Sequence, residues 1–121
     1  MTDSLLVQLR KGVLDLCVLA MLERQDGYAY DIASRLADAI GMGEGTIYPL
    51  MRRMQTDGLV KTYLEESSSG PPRKYYQLTK AGHAALAAQR AEWNAFVAGV
   101  AKVMSDNQPA ASAAKTAGAG R

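Results

Sequence analysis

Residues Gly43 to Val60 read GEGTIYPLMRRMQTDGLV. At a helical spacing of about 100° per residue, Ile47, Leu50, Met51 and Met54 gather on one side and provide a face to bury. Gly45, Pro49, Arg52 and Thr56 fall opposite, flanked by Tyr48 and Arg53. A proline is tolerated in such a helix only near its start. If Thr46 caps the helix, Pro49 lies in the first turn, where its missing N–H would have no helical acceptor anyway. If Gly43 or Glu44 opens it, Pro49 lies in the second turn against the Gly45 carbonyl, and a slight bend is expected. The outer face, with small groups, a proline ring and arginine, is poor for packing. It suits a groove lined with phosphates, which arginine can pair bidentately; the plain alternative is a solvated helix face.

Working outward, Tyr28–Ile40 forms a preceding helix with Ile32, Leu36 and Ile40 on one stripe, after Gln25, Asp26 and Gly27 end an earlier one. The turn GMGEG, Gly41–Gly45, joins it to the opening stretch, so the pair has the order of a helix-turn-helix. Many helical hairpins share that order. The earlier helix, Leu5–Arg24, is apolar around most of its circumference, with Leu6, Leu9 and Val13 on one flank and Leu14, Val18 and Leu22 on another. One neighbour cannot satisfy it, which points to a second copy of the chain.

Downstream, Leu59–Leu64 and Tyr75–Leu78 alternate as strands, and the SSSGPP run between them predicts a β-hairpin with a long loop. Arg73 and Lys74 then sit just beyond its tip, within reach of a nucleic-acid backbone together with Lys61 and Lys80. Glu65 and Glu66 must face away for that reading to hold. Thr79 is a plausible N-cap for an alanine-rich helix, Lys80–Met104, in which Gly82 and Gly99 are modest weak points. On it Leu86, Trp93 and Val100 recur every seven residues, broadened by Phe96, Val97, Val103 and Met104. A partner chain is the economical cover for this stripe. The fold class expected is mainly α with a small β-hairpin. It comprises a DNA-binding part over residues 1–78, a dimerisation helix over 79–105 and a disordered tail over 106–121.

Composition narrows the function classes. A formal net charge of +2 does not announce a nucleic-acid binder, so any basic surface must come from clustering of the 14 Lys and Arg. The single cysteine, Cys17, among apolar neighbours, reads as a core thiol and fits a reducing cytoplasm. No signal peptide or membrane-spanning run is visible, so a cytoplasmic location is expected. An enzyme is disfavoured, because the one histidine, His83, is far from Cys17 and GMGEG follows a helix, where a phosphate loop would follow a strand. No metal-ligand spacing or cofactor motif occurs.

EGTIYPLMRRMQTDGLV, a polar loop with Gly and Pro, and then PRKYYQLTKAGHAAL resemble the PadR family of bacterial transcriptional regulators. The resemblance runs from about Leu9 to Met104 and includes the Gly27-Tyr28 pair. It implies a winged helix-turn-helix homodimer that represses promoters on double-stranded DNA and releases it when an effector binds or conditions change. In the branch with a single C-terminal helix, that helix crosses the partner's first helix, which implicates Leu6, Leu9, Val13, Leu86, Trp93, Phe96, Val97 and Val100 in the interface. The recognition helix would be Glu44–Asp57, with Thr46, Tyr48, Arg52 and Arg53 toward DNA and with Tyr28, Arg73 and Lys74 on phosphates. Trp93 is similar in place to an aromatic that lines an effector cavity in some short members, with Leu14 and Phe96 as companions; the alternative is a plain dimer-core tryptophan. Gln77 stands where a basic residue often follows the Tyr-Tyr pair. The competing reading of the whole chain is a dimeric ligand- or protein-binding module whose winged-helix surface does not engage DNA.

Overall fold

The computed structural model describes residues 4–106; of the tail expected over 106–121, Asp106 ends a helix instead and the rest lies outside the described residues. The elements run α1 (Leu5–Arg24), β1 (Gly27–Tyr28), α2 (Ala29–Ile40), α3 (Glu44–Thr56), β2 (Val60–Ser67), β3 (Gly70–Leu78) and α4 (Lys80–Asp106). They fall into two compact units, one ending at Gln89 and the other beginning at Arg90.

The first unit is a helical layer on a small sheet. Ser4 caps α1, its hydroxyl accepting the Val7 N–H at 3.2 Å. From α1 the core takes Leu14, Val18, Leu19 and Leu22, from α2 Ile32, Ala33 and Leu36, and from α3 Ile47, Leu50, Met51 and Met54. The apolar face expected from the opening stretch is therefore the buried one. Cys17 packs against the same cluster, and partial burial raises its thiol pKa. Gly43 precedes the first turn of α3, so Pro49 stands in the second turn, the later of the two placements considered. Its ring is exposed, and the Gly45 carbonyl loses only an N–H on the outward side.

At its other end α3 closes at Thr56, and Gly58, with a φ of 78°, lets the Leu59 N–H reach back to the Met54 carbonyl at 2.9 Å. That reversal launches β2. The sheet is antiparallel in the order β1-β3-β2 and so contains a strand that the periodicity of the sequence did not indicate. Gly27 pairs with Tyr76 and Tyr28 with Tyr75, hence Tyr28 precedes α2 as a strand residue. The hairpin is also longer than expected, because Leu64 pairs with Lys74 and Glu65 with Arg73. Arg73 and Lys74 are thus inside β3 and not beyond a tip. Prolines 71 and 72 are compatible with this because β1 reaches only Tyr75 and Tyr76, which leaves one edge of β3 open beside them.

Alternation gives the sheet two unlike faces. Val60, Tyr76 and Leu78 turn into the core, while Tyr63, Tyr75, Arg73 and Gln77 lie on the other side. Thr79 caps α4 as expected: its hydroxyl accepts the Gly82 N–H at 3.0 Å and donates to the Gly58 carbonyl at 2.6 Å. Leu86 is 1% exposed and belongs to the core of its own chain, which corrects its assignment to a dimer interface. One heptad spacing thus links a core residue to two surface residues.

In the second unit, the remainder of α4 exposes Trp93, Phe96, Val97, Val100, Val103 and Met104. Exposed apolar residues also mark the first turns of α1, at Leu5, Leu6 and Leu9. Among the described residues no helix is long and apolar enough to cross a membrane.

Candidate functional site

The start of α2, the outer side of α3 and the middle of β3 enclose an open concavity of about 400 Å³ lined by Tyr28, Ala29, Tyr30, Tyr48, Arg52, Arg73, Lys74 and Tyr76. Each element delivers its residues for a local reason. Burial of Ile47, Leu50, Met51 and Met54 turns Tyr48 and Arg52 outward. The pairing of β1 with β3 sets Tyr28 beside Tyr75, with ring centroids 5.4 Å apart. Arg73 then lies over the Tyr28 ring at 4.7 Å and Lys74 over the Tyr76 ring at 5.8 Å. Three cationic side chains and four tyrosines meet there, and no carboxylate is among the described lining residues.

Five of the seven residues expected to face DNA come together in this concavity: Tyr28, Tyr48, Arg52, Arg73 and Lys74. Thr46 is exposed on the first turn of α3 but does not line it. Arg53 departs from the expected placement. Its Nη2 lies 3.1 Å and 3.2 Å from the two carboxylate oxygens of Asp15 on α1, and its Nη1 is 4.0 Å from Asp57. The hydrogen bond and charge of Asp15 raise the Arg53 pKa further above its ordinary value. Tyr30 was missed by sequence reasoning; it sits two residues after Tyr28 in GYAY, and only the break between β1 and α2 brings both rings to one hollow.

The outer face of the sheet carries a second polar arrangement. Tyr63 stacks on Tyr75 at 5.8 Å, extending the row Tyr28–Tyr75–Tyr63 across all three strands. Asp26, in the turn before β1, accepts the Tyr63 hydroxyl at 2.7 Å and the Gln77 amide at 3.2 Å. The hydrogen bond to Asp26, then burial and nearby negative charge, push the Tyr63 pKa up to about 12. Gln77 therefore has a neutral structural partner's role, tying the wing to the turn after α1. Glu65 does not turn away from Arg73 as the binding reading required, since it is the cross-strand partner of Arg73 on the same face.

A pH experiment follows from this bond. A folded-state pKa raised from 10.0 to about 12 makes a contribution to stability that is complete below pH 10 and lost as pH rises toward 12. Ultraviolet titration at the phenolate band should contain a step displaced upward toward pH 12, and Tyr63→Phe should remove that step. Asp26→Ala should move it back toward the ordinary value; an unchanged titration curve in both variants would refute the bond.

The apolar residues expected to hold an effector fall in both units. Leu14 is part of the first unit's core. In the second unit Phe96 lines a shallow apolar hollow with Ala95, Gly99, Val100, Val103 and Met104, and Trp93 is not among the lining residues.

Comparison with known proteins agrees with this architecture. Residues 18–88 match the family model described as the transcriptional regulator PadR-like family. A PadR-like transcriptional regulator from Bacillus cereus is 34% identical and superposes with a TM-score of 0.74, over 80% of this chain and 96% of that one. A PadR family regulator from Eggerthella lenta is 37% identical with a TM-score of 0.73, over 84% and 89% of the two chains. Bacillus subtilis PadR, solved in complex with operator DNA, shares the fold at 22% identity and a TM-score of 0.58, over 64% of this chain and 46% of that one. With more than half of its length matched, the chain belongs to the PadR-like family of transcriptional regulators.

Proposed function

We propose that this regulator is a DNA-binding homodimer that represses by occupying a palindromic promoter site and leaves it when a small aromatic or apolar effector binds. The observation that carries the DNA reading is the convergence of Arg52, Arg73 and Lys74 with Tyr28, Tyr30 and Tyr48 in one concavity, despite a nearly balanced overall charge. Arginine on the outer face of α3 suits base edges in a major groove, while cations on a strand beside it suit the flanking phosphates. The operator complex of the Bacillus subtilis relative is consistent with this use of the fold.

A second copy is the proposed cover for Leu6, Leu9 and Val13 on α1 and for Trp93, Phe96, Val97 and Val100 on α4. Val13 is half-buried and the others are exposed, and exposed apolar side chains in such number are costly in water unless an interface buries them. Sedimentation should give twice the chain mass, and Val100→Asp should give the single-chain mass. Trp93, the one tryptophan, then reports on the effector through its fluorescence. If Trp93 ignores every compound that releases DNA, the effector does not bind beside it.

Titration of the dimer against duplexes from its own upstream region, at several salt concentrations, tests the central reading. A DNA reader loses affinity steeply as salt rises, because neutralised phosphates shed counterions. Absence of binding to every fragment would leave the ligand- or protein-binding module as the reading of this fold.

A further inference from the structure

We infer that Arg53 is a positioning residue and not a DNA contact: its ion pair with Asp15 ties the recognition helix α3 to α1. This rests on the DNA-binding reading above. Arg52 and Arg53 are adjacent in sequence, but one helical step turns them apart, so that Arg52 lines the concavity and Arg53 reaches back to α1. The backbones at both ends of the pair are fixed. Asp15 follows Leu14, which is in the core, and Arg53 lies between Met51 and Met54, both fully buried. One guanidinium nitrogen, Nη2, reaches both oxygens of the Asp15 carboxylate, and such charge-assisted hydrogen bonds are stronger than neutral ones.

Charge argues the same way. Around Arg53 stand Asp15 at 3.1 Å and Asp57 at 4.0 Å, two carboxylates that already engage its charge. A phosphate approaching there competes with two carboxylates, whereas at Arg52 no ion pair with a described residue stands in its way. The pair is half exposed, with side-chain accessibilities of 53% for Arg53 and 39% for Asp15, so its effect on DNA affinity is modest. Its role is to fix the attitude of α3 against the helix whose other flank carries Leu6, Leu9 and Val13.

Arg53→Gln, Asp15→Asn, the double variant and the charge swap Asp15→Arg/Arg53→Asp, measured on the full chain with its duplex, test this. Each single change should weaken specific binding by a similar factor, on the order of two- to five-fold. The double change should be no worse than either alone, and the salt slope should equal that of the wild type. The charge swap should recover affinity, although it places a carboxylate at position 53 of the recognition helix. A salt slope lowered by about 0.9 in Arg53→Gln alone would make Arg53 a phosphate contact and overturn the proposal. Tighter binding by Asp15→Asn, or additive losses in the double variant, would overturn it as well. If the swap fails to fold, as judged by circular dichroism, the additivity of the neutral variants decides. Failure of the wild type to bind any duplex would instead refute the DNA-binding reading, and this inference with it.

Discussion

Gly82→Ala is expected to destabilise the protein, although alanine is the better helix former. On propensity alone the change should add up to about 1 kcal/mol of stability in a helix interior. The structure reverses that sign. A Cβ at Gly82 would run into the Leu59 carbonyl, and this carbonyl is pinned because it accepts the Thr79 N–H at 3.1 Å. The Leu78 side chain closes the same space at 3.1 Å. Backbone cannot rotate aside as a side chain can, so the start of α4 must lift from the α3–β2 connection. The Thr79 hydroxyl bond to Gly58 is strained as it lifts. Overpacking of this kind costs about 1–3 kcal/mol. For a domain of this size that lowers the unfolding midpoint by roughly 5–20 °C. Gly12→Ala is the control, since nothing lies within 4 Å of a Cβ there and a small gain is expected. Equal shifts of the two variants in thermal and denaturant unfolding would refute the close-approach argument.

Arg52→Ala is expected to give the largest loss in DNA recognition, and the loss should depend on sequence. Its guanidinium belongs to the one face of α3 that is neither buried nor paired to α1, beside the Tyr48 ring in the concavity. If it reads a base edge bidentately, removal costs about 1–3 kcal/mol, or roughly ten-fold and more in affinity. That cost should fall on one or two positions of each half-site, so that operator variants at those positions become equivalent. Lys74→Ala removes a cation on a strand and should weaken all duplexes alike while lowering the salt slope by about 0.9. Competition with a library of operator variants separates the two patterns. A uniform loss for Arg52→Ala would assign it to the phosphates.

The contrast between Arg52 and Arg53 shows how far one-dimensional reasoning extends. Ile47, Leu50, Met51 and Met54 were legible as a buried face because helical periodicity is written along the chain and burial follows it. The Thr79 cap was legible too, since its bond partner lies three residues away. The same periodicity placed both arginines near the outer face. What separates them is Asp15, 38 positions upstream, and no local pattern encodes that distance.

Leu86, Trp93 and Val100 make the same point on α4. Their equal spacing fits one continuous apolar stripe, yet Leu86 is sealed in the first unit's core while Trp93 and Val100 remain 39% exposed. The two-residue β1 exists only through Tyr75 and Tyr76, so propensity could not announce it, and with it went the common placement of Tyr28 and Tyr30. Gly82 looked like a weak point in a helix until Leu59 was seen against it. The amino-acid order by itself determined the helices, the buried face of α3 and the family, because these depend on spacing along the chain and on local hydrogen bonds. Which cation faces outward, which is held, and which glycine cannot change were decided by contacts between distant residues, which exist only once the chain has folded.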